Sequence, residues 1–142
     1  MIRVDFYLLE KKPALNRAHA ACQIASKIHK LGHKSQILAQ NEADARQLNS
    51  LLWTFRPGSF VPHTLQSEGN GADTAVLIGS SADDLDGSRE VLISLQQQLP
   101  EGHQQYPRIV EIVGNSADEK QQARVRYRQY KDKGYELHTH EL

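Results

Sequence analysis

Residues 2–9 read IRVDFYLL, and residues 14–31 read ALNRAHAACQIASKIHKL. The first stretch is rich in β-branched and aromatic residues, which is typical of a β-strand. In the second stretch, apolar residues recur at the spacing of one α-helix face, and Gly32 then supplies the left-handed residue that commonly ends helices. The apolar residues of this face are Ala18, Ala21, Cys22, Ala25, Ile28 and Leu31. The start of the chain therefore predicts a strand followed by a helix.

The same order repeats immediately downstream. Residues 35–39 predict a short strand, and Asn41 begins a second helix with Asp44 at its third position. The residues expected to be buried along this helix are Ala45, Leu48, Leu51 and Leu52. A strand-helix-strand-helix order of this kind is typical of a parallel sheet with crossover helices.

The rest of the chain extends this pattern to a mostly parallel central sheet flanked by helices. Further strands are predicted over residues 74–78, 90–95, 108–113 and 135–139, the last at an edge. A final helix begins at the sequence Ser116-Ala117-Asp118-Glu119, which fits a capping box, and it ends at Gly134. The length and the lack of a long linker predict a single α/β domain over residues 1–142.

Composition limits the classes of function. Seventeen basic and seventeen acidic residues give zero formal net charge, which argues against a general nucleic-acid binder that depends on excess Lys and Arg. Cys22 is the only cysteine, so no intrachain disulfide can form, and we interpret it as a small packing residue. Nothing approaches about 18 uninterrupted apolar residues, and the first ten residues lack the apolar core of a signal peptide. These features predict a cytoplasmic protein.

The sequence does not fit the common nucleotide, metal and catalytic signatures. The turn after the first predicted strand contains no glycine, and neither a P-loop nor a dinucleotide fingerprint occurs. The acidic run at residues 83–87 does not fit the calcium-loop template and is interpreted as a solvated loop. His138 and His140 would share a strand face, but a zinc site needs more than two ligands. No cofactor, metal or catalytic site is therefore predicted.

Arg124, Tyr127, Arg128 and Lys131 follow i, i+3, i+4, i+7 spacing, so they form one stripe on the last helix. Arg can fork onto carboxylates and Tyr adds a flat apolar wall, so the stripe suits an acidic peptide with an apolar anchor. One alternative is a solvated helix face with Tyr127 or Tyr130 in the core. Another is a module that binds nucleic acid directly through this Arg-rich helix.

Residues 52–63 form the second unusual segment, LWTFRPGSFVPH. It contains the only Trp and two of the three Phe residues of the chain. Trp and Phe are favoured as interface anchors, and proline holds a loop extended, which reduces the ordering cost when a partner docks. The alternative is a loop that folds back over the core and buries its aromatic residues.

Several segments together resemble one known family. They are VDFYLL at residues 4–9, WTFRPGSFVPH at 53–63, SREVLISL at 88–95, ARVRYRQYK at 123–131 and GYEL at 134–137. In this order, and over nearly the whole chain, they are similar to the chi subunit family of bacterial DNA polymerase III. The resemblance implies a Rossmann-like α/β domain that has no nucleotide site, no cofactor and no catalytic activity.

The resemblance also implies partners and sites. Members of this family form a heterodimer with the psi subunit, which ties them to the clamp loader, and they hold the acidic C-terminal tail of single-stranded DNA-binding protein. Carried over by position, the residues expected to face psi are Trp53, Phe60, Arg56, Pro57 and Val61. The residues expected to receive the tail are Arg124, Tyr127 and Arg128, with Val113 at the apolar pocket. The implied function is a non-catalytic adaptor in DNA replication.

Overall fold

The computed structural model describes residues 1–55, 61–68 and 74–142. Within these residues the chain forms three α-helices and seven β-strands, and no α-helix separates the third to sixth strands. The helices are α1 (Arg17–Lys30), α2 (Glu42–Thr54) and α3 (Ala117–Asp132). The strands are β1 (Arg3–Leu8), β2 (Ser35–Leu38), β3 (His63–Leu65), β4 (Val76–Gly79), β5 (Val91–Ser94), β6 (Arg108–Val113) and β7 (Glu136–Glu141).

The described strands form one sheet in the order β3-β4-β2-β5-β6-β1-β7. Every pairing between these strands is parallel. Parallel strands require crossover connections, and α1, α2 and α3 supply those from β1 to β2, from β2 to β3 and from β6 to β7. In the register of β1 with its two neighbours, Phe6 lies opposite Glu111 of β6 and Thr139 of β7. The predicted α/β class with a parallel central sheet is confirmed.

The helices are divided between the two faces of the sheet. Ile93 of β5 packs in one buried cluster with residues of α1 and α2, whereas Leu92 packs in a second cluster with α3. Because successive side chains of a strand point to opposite faces, α1 and α2 cover one face and α3 covers the other. Cys22 is buried in the first cluster, and burial raises the pKa of its thiol to about 12. Its predicted packing role is confirmed.

The residues that cap the last two helices are those predicted. Asn41 Oδ1 accepts a 2.8 Å hydrogen bond from the Asp44 N–H at the start of α2. Ser116 Oγ accepts a 3.1 Å hydrogen bond from the Glu119 N–H at the start of α3. Both bonds satisfy backbone donors that have no partner inside the helix. These local signals fix where the helices begin.

Glycine ends α1 and α3, as the sequence indicates. Gly32 and Gly134 have φ values of +85° and +81°, in the left-handed region where a Cβ would be strained. The predicted start of α1 near residue 14 is wrong. The helix begins at Arg17, because Asn16 caps it and accepts a 2.8 Å hydrogen bond from the His19 N–H.

The edge strand β3 is an element that the sequence pattern did not predict. It lies at the end of the Trp- and Phe-rich segment, and His63 pairs with Val76 of β4. Its three residues are too few to show a strand periodicity. The strand extends the sheet beside α2, so it helps to position the last turn of that helix.

His138 and His140 share one face of β7, as predicted, and their rings are nearly parallel with centroids 6.4 Å apart. His140 Nε2 lies 2.7 Å from Asp5 Oδ1. Burial alone would raise the pKa of Asp5, but hydrogen bonds from Arg3, His140 and Arg108 outweigh it and hold that pKa below its usual range. In the described parts of the chain, no group of three or more His, Cys, Asp or Glu side chains is placed to hold a metal. No helix there is long and apolar enough to cross a membrane.

Candidate functional site

An open pocket of about 250 Å³ lies where α3 crosses the ends of β1 and β6. Its wall is mainly apolar, and its rim carries basic and acidic groups. The apolar residues and the tyrosine are Phe6, Leu8, Val113, Ala123 and Tyr127. The polar residues are Glu10, Lys120, Arg124 and Thr139. We call this site the α3 pocket.

The register of the sheet and the period of the helix build the α3 pocket. Leu8 of β1 lies directly opposite Val113 of β6, so the two side chains form one apolar floor. Lys120, Arg124 and Tyr127 are spaced so that they share one side of α3. The Tyr127 ring packs on Phe6, which also lines the pocket, with ring centroids 5.3 Å apart, and 38% of Tyr127 remains exposed.

Three of the four residues predicted to form this site meet in the pocket. Val113, Arg124 and Tyr127 all line it, although Val113 is distant from the other two in sequence. Arg128 is exposed one turn beyond Arg124, and it is not among the described residues that line the pocket. Lys120 was missed, because the predicted stripe was followed only from Arg124 towards the C-terminus. The same i, i+4 spacing continued one turn upstream would have included it.

The rim of the pocket contains an ion pair. Lys120 Nζ lies 3.1 Å from Glu10 Oε1, and both side chains are partly exposed. Arg124 is also exposed, and it takes part in no ion pair among the described residues. One rim cation is therefore engaged with a carboxylate of the chain, while the other faces solvent.

A buried network supports α3 from beneath. Arg126 Nε donates a 3.0 Å hydrogen bond to Glu111 Oε1, and the Tyr130 hydroxyl donates a 2.8 Å hydrogen bond to Glu111 Oε2. Burial raises the pKa of Glu111 and the pKa of Tyr130, while the Arg126 charge favours the ionised carboxylate. Arg126 is only 3% exposed, so this base of the Arg-rich helix stabilises the core and is not part of the basic surface.

The second candidate site is the end of α2. Trp53 is 62% exposed, and the His63 ring packs edge-on against it, with ring centroids 5.0 Å apart and an interplanar angle of 70°. His63 also lies at hydrogen-bond distance from two carbonyl oxygens, 2.7 Å from Val61 O and 3.1 Å from Asn49 O. These contacts tie the start of β3 to α2. We call Trp53 and His63 together the Trp53 surface.

The predicted members of the Trp53 segment have different positions. Trp53 lies at the surface, whereas Val61 is 1% exposed and packs in the core cluster beneath α2. Val61 can therefore support the surface but does not present its side chain to solvent. Arg56, Pro57 and Phe60 lie outside the described residues.

The α3 pocket and the Trp53 surface lie on different parts of the sheet. α3 packs on β6 and β7, whereas α2 packs on β3 and β4 at the other end. The two helices also cover opposite faces. A molecule bound in the pocket would therefore not reach Trp53 unless it wrapped around the sheet.

The family model and the relatives that match this chain all name the same protein family. Residues 1–138 match the family described as "DNA polymerase III chi subunit, HolC". The protein named DNA polymerase III subunit chi from Pseudomonas aeruginosa is 32% identical over 142 residues, covering 100% of this chain and 98% of the relative. The protein of that name from Haemophilus influenzae is 33% identical over 135 residues, covering 95% and 94%. The one from Escherichia coli is 30% identical over 143 residues, covering 98% and 97%. This chain therefore belongs to the DNA polymerase III chi subunit family.

Proposed function

We propose that this protein is a non-catalytic adaptor of the DNA polymerase III holoenzyme. One face binds the psi subunit and thereby the clamp loader. The other binds the acidic C-terminal tail of single-stranded DNA-binding protein. Membership of the chi subunit family supports a place in the polymerase complex. The observation that carries the tail-binding part is the meeting of an apolar floor and basic rim groups in the α3 pocket.

The chemistry of the pocket suits a chain end with an apolar last residue and a free carboxylate. The floor of Leu8 and Val113 and the Tyr127 ring can cover an apolar side chain, whose full burial contributes about 1.5–3 kcal/mol. Arg124 can receive the terminal carboxylate through charge-assisted hydrogen bonds. Arg128 and Lys131 are exposed on the next turn of α3, where upstream acidic residues of the tail would pass.

The Trp53 surface supports the psi-binding part of the proposal. Trp53 is 62% exposed, so binding of a partner over this face would remove apolar surface from water. Trp is among the residues that contribute most at the centre of protein interfaces. The same segment of sequence also contains Phe60, Arg56 and Pro57, which lie outside the described residues and which the proposal assigns to psi binding. Val61 belongs to its buried base.

The deciding experiment is a calorimetric titration with a peptide of several acidic residues ending in Pro-Phe. The free-acid peptide should bind, and the same peptide with an amidated C-terminus should bind about ten-fold or more weakly, because a charge-assisted contact is lost. Equal affinity for the two peptides would show that the pocket does not recognise a chain end.

A second measurement separates this function from direct nucleic-acid binding. The protein should show negligible affinity for naked single-stranded DNA at physiological salt, yet associate with DNA coated by single-stranded DNA-binding protein. Zero formal net charge supports this expectation. Tight binding to naked DNA that falls steeply with salt would favour phosphate contacts by the Arg-rich helix instead.

A further inference from the structure

The α3 pocket contains an acidic residue that an acidic ligand would have to meet. Glu10 lines the pocket, and its carboxylate engages Lys120 at 3.1 Å. Glu10 and Lys120 side chains are 54% and 35% exposed, so solvent and ions reach the pair. The rim of the pocket otherwise carries the cations Lys120 and Arg124, and the negative charge of Glu10 lowers the attraction of the pocket for anions. Its presence there requires an explanation.

The backbone holds Glu10 beside the first turns of α3. The preceding Leu9 is 1% exposed, and its N–H donates a 3.3 Å hydrogen bond to the Val113 carbonyl. The Leu9 carbonyl accepts hydrogen bonds from Asn115 Nδ2 at 3.1 Å and from the Lys12 N–H at 2.9 Å. The turn after β1 is thus tied to the turn that precedes α3. Glu10 is therefore placed to reach Lys120 by the fold rather than by chance contact of two long side chains.

We propose that Glu10 is an internal competitor for the ligand of the α3 pocket. In the free protein its carboxylate occupies Lys120, and a carboxylate of the bound peptide replaces it there. The inference rests on the proposed function, because it assumes that an acidic peptide binds in this pocket. Lys120 presents three N–H donors and a compact charge, so it can exchange one carboxylate for another without a change of backbone.

Competition by Glu10 has two consequences for binding. It weakens the complex, which favours rapid exchange of the ligand. It also lowers the preference for acidic over neutral ligands, because only a ligand carboxylate has to displace Glu10 from Lys120, whereas an apolar neutral ligand leaves the pair in place. Removal of Glu10 should therefore strengthen binding of an acidic peptide and leave the binding of a neutral ligand unchanged.

The test is Glu10→Gln, titrated with the acidic peptide ending in Pro-Phe. Exposed ion pairs contribute little, so the variant should bind about two- to five-fold more tightly than the wild type. Glu141→Gln is the matched control, because Glu141 forms an ion pair with Lys11 at 2.6 Å near the same end of the sheet. Its affinity should stay within about 1.5-fold of the wild type, since long-range charge effects are screened at physiological salt. Unchanged or weaker binding by Glu10→Gln overturns the inference.

A double-mutant cycle with Lys120→Gln shows whether the effect acts through the ion pair. In the Lys120→Gln background, Glu10→Gln should no longer change the affinity, because the group for which Glu10 competes is gone. An equal gain in both backgrounds would mean that Glu10 simply repels the peptide, and would overturn competition. Melting temperatures should agree within about 2 °C, as expected for surface substitutions.

Different outcomes overturn the proposed function and the role of Glu10. If the wild type and Glu10→Gln both fail to bind the peptide, the proposed function is wrong and the competition falls with it. If the wild type binds but Glu10→Gln shows no gain, the tail-binding function stands and only the role of Glu10 is overturned.

Discussion

The α3 pocket and the Trp53 surface hold their aromatic rings in opposite ways. Tyr127 lines a concave pocket, rests on Phe6 at 5.3 Å and is 38% exposed. Trp53 stands at the last turn of α2, is 62% exposed and is contacted edge-on by His63 at 5.0 Å. The pocket therefore offers shape to a small group, whereas the Trp53 surface offers a projecting ring that a partner must enclose.

The described parts of the two sites also differ in charge. Lys120 and Arg124 stand at the rim of the pocket, whereas the last turn of α2 carries no basic residue. Charge-assisted hydrogen bonds give a pocket selectivity for a carboxylate, and burial of a large apolar ring stabilises a broader interface. The difference fits the proposal that one sheet carries a site for the end of a chain and a site for a folded partner.

The largest expected effect concerns the support beneath the pocket. Arg126→Ala would leave the fully buried Glu111 without its ion-pair partner, and breaking such a pair costs about 3–5 kcal/mol of unfolding free energy. Chemical denaturation measures this loss. Arg128→Ala is the control, because Arg128 is exposed on the same helix and its removal should change stability by less than about 0.5 kcal/mol. Equal stability of the two variants would show that the buried pair does not hold α3.

The next effect concerns the Trp53 surface. Trp53→Ala combined with Phe60→Ala should abolish the stable psi heterodimer, because each aromatic anchor typically contributes at least ~2 kcal/mol at an interface centre. Co-purification with psi measures the loss, and circular dichroism checks the fold. Leu31→Ala is a matched control, since Leu31 is 69% exposed at the end of α1. If the folded double variant also lost its affinity for the acidic peptide, both partners would use a single shared site.

The third effect ranks two arginines of the same helix. Arg124 lines the pocket, whereas Arg128 lies one turn further along α3. Arg124→Ala should reduce the binding free energy of the acidic peptide by about 1.5–3 kcal/mol, which lowers its affinity roughly ten- to hundred-fold. Arg128→Ala should lower the affinity by less than about five-fold, because an exposed ion pair with an acidic residue of the peptide contributes little. Calorimetry on both variants gives the order, and the reverse order would place the terminal carboxylate beyond the pocket.

The fold could be predicted because its signals are local. The face of α1, the caps Asn41 and Ser116, and the glycines after α1 and α3 all act within a few residues of where they stand. The strand β3 could not be predicted, since its three residues depend on pairing with β4 rather than on any periodicity. Tertiary context decides such short edge strands.

The candidate site could be predicted only in part, because charge pattern does not show which bases face inwards. Arg126 and Arg128 both belong to the same Arg-rich run, but only Arg126 meets Glu111, 15 residues earlier in β6. A signal exists in the sequence: Glu111 interrupts the apolar run of residues 109–113. A carboxylate in a buried strand requires a cationic or hydrogen-bonding partner. Glu10 offered no such signal, since its meeting with Lys120 depends on two turns brought together by the fold.

The smallest expected effect is the coupling between the two sites. From β4, beside α2, to β6, beneath the pocket, there are three strand spacings, or roughly 14 Å, and the two sites lie on opposite faces of the sheet. Free-energy changes at sites that share no contacts are expected to add to within ~0.5 kcal/mol. The acidic peptide should therefore bind the psi heterodimer and the free protein with dissociation constants that agree within about two-fold. Calorimetric titration of both forms with the same peptide measures the ratio. A change of about ten-fold in either direction would mean that psi alters α3 or reaches around the sheet. In that case the pocket and the Trp53 surface would act as one coupled site rather than as two independent ones.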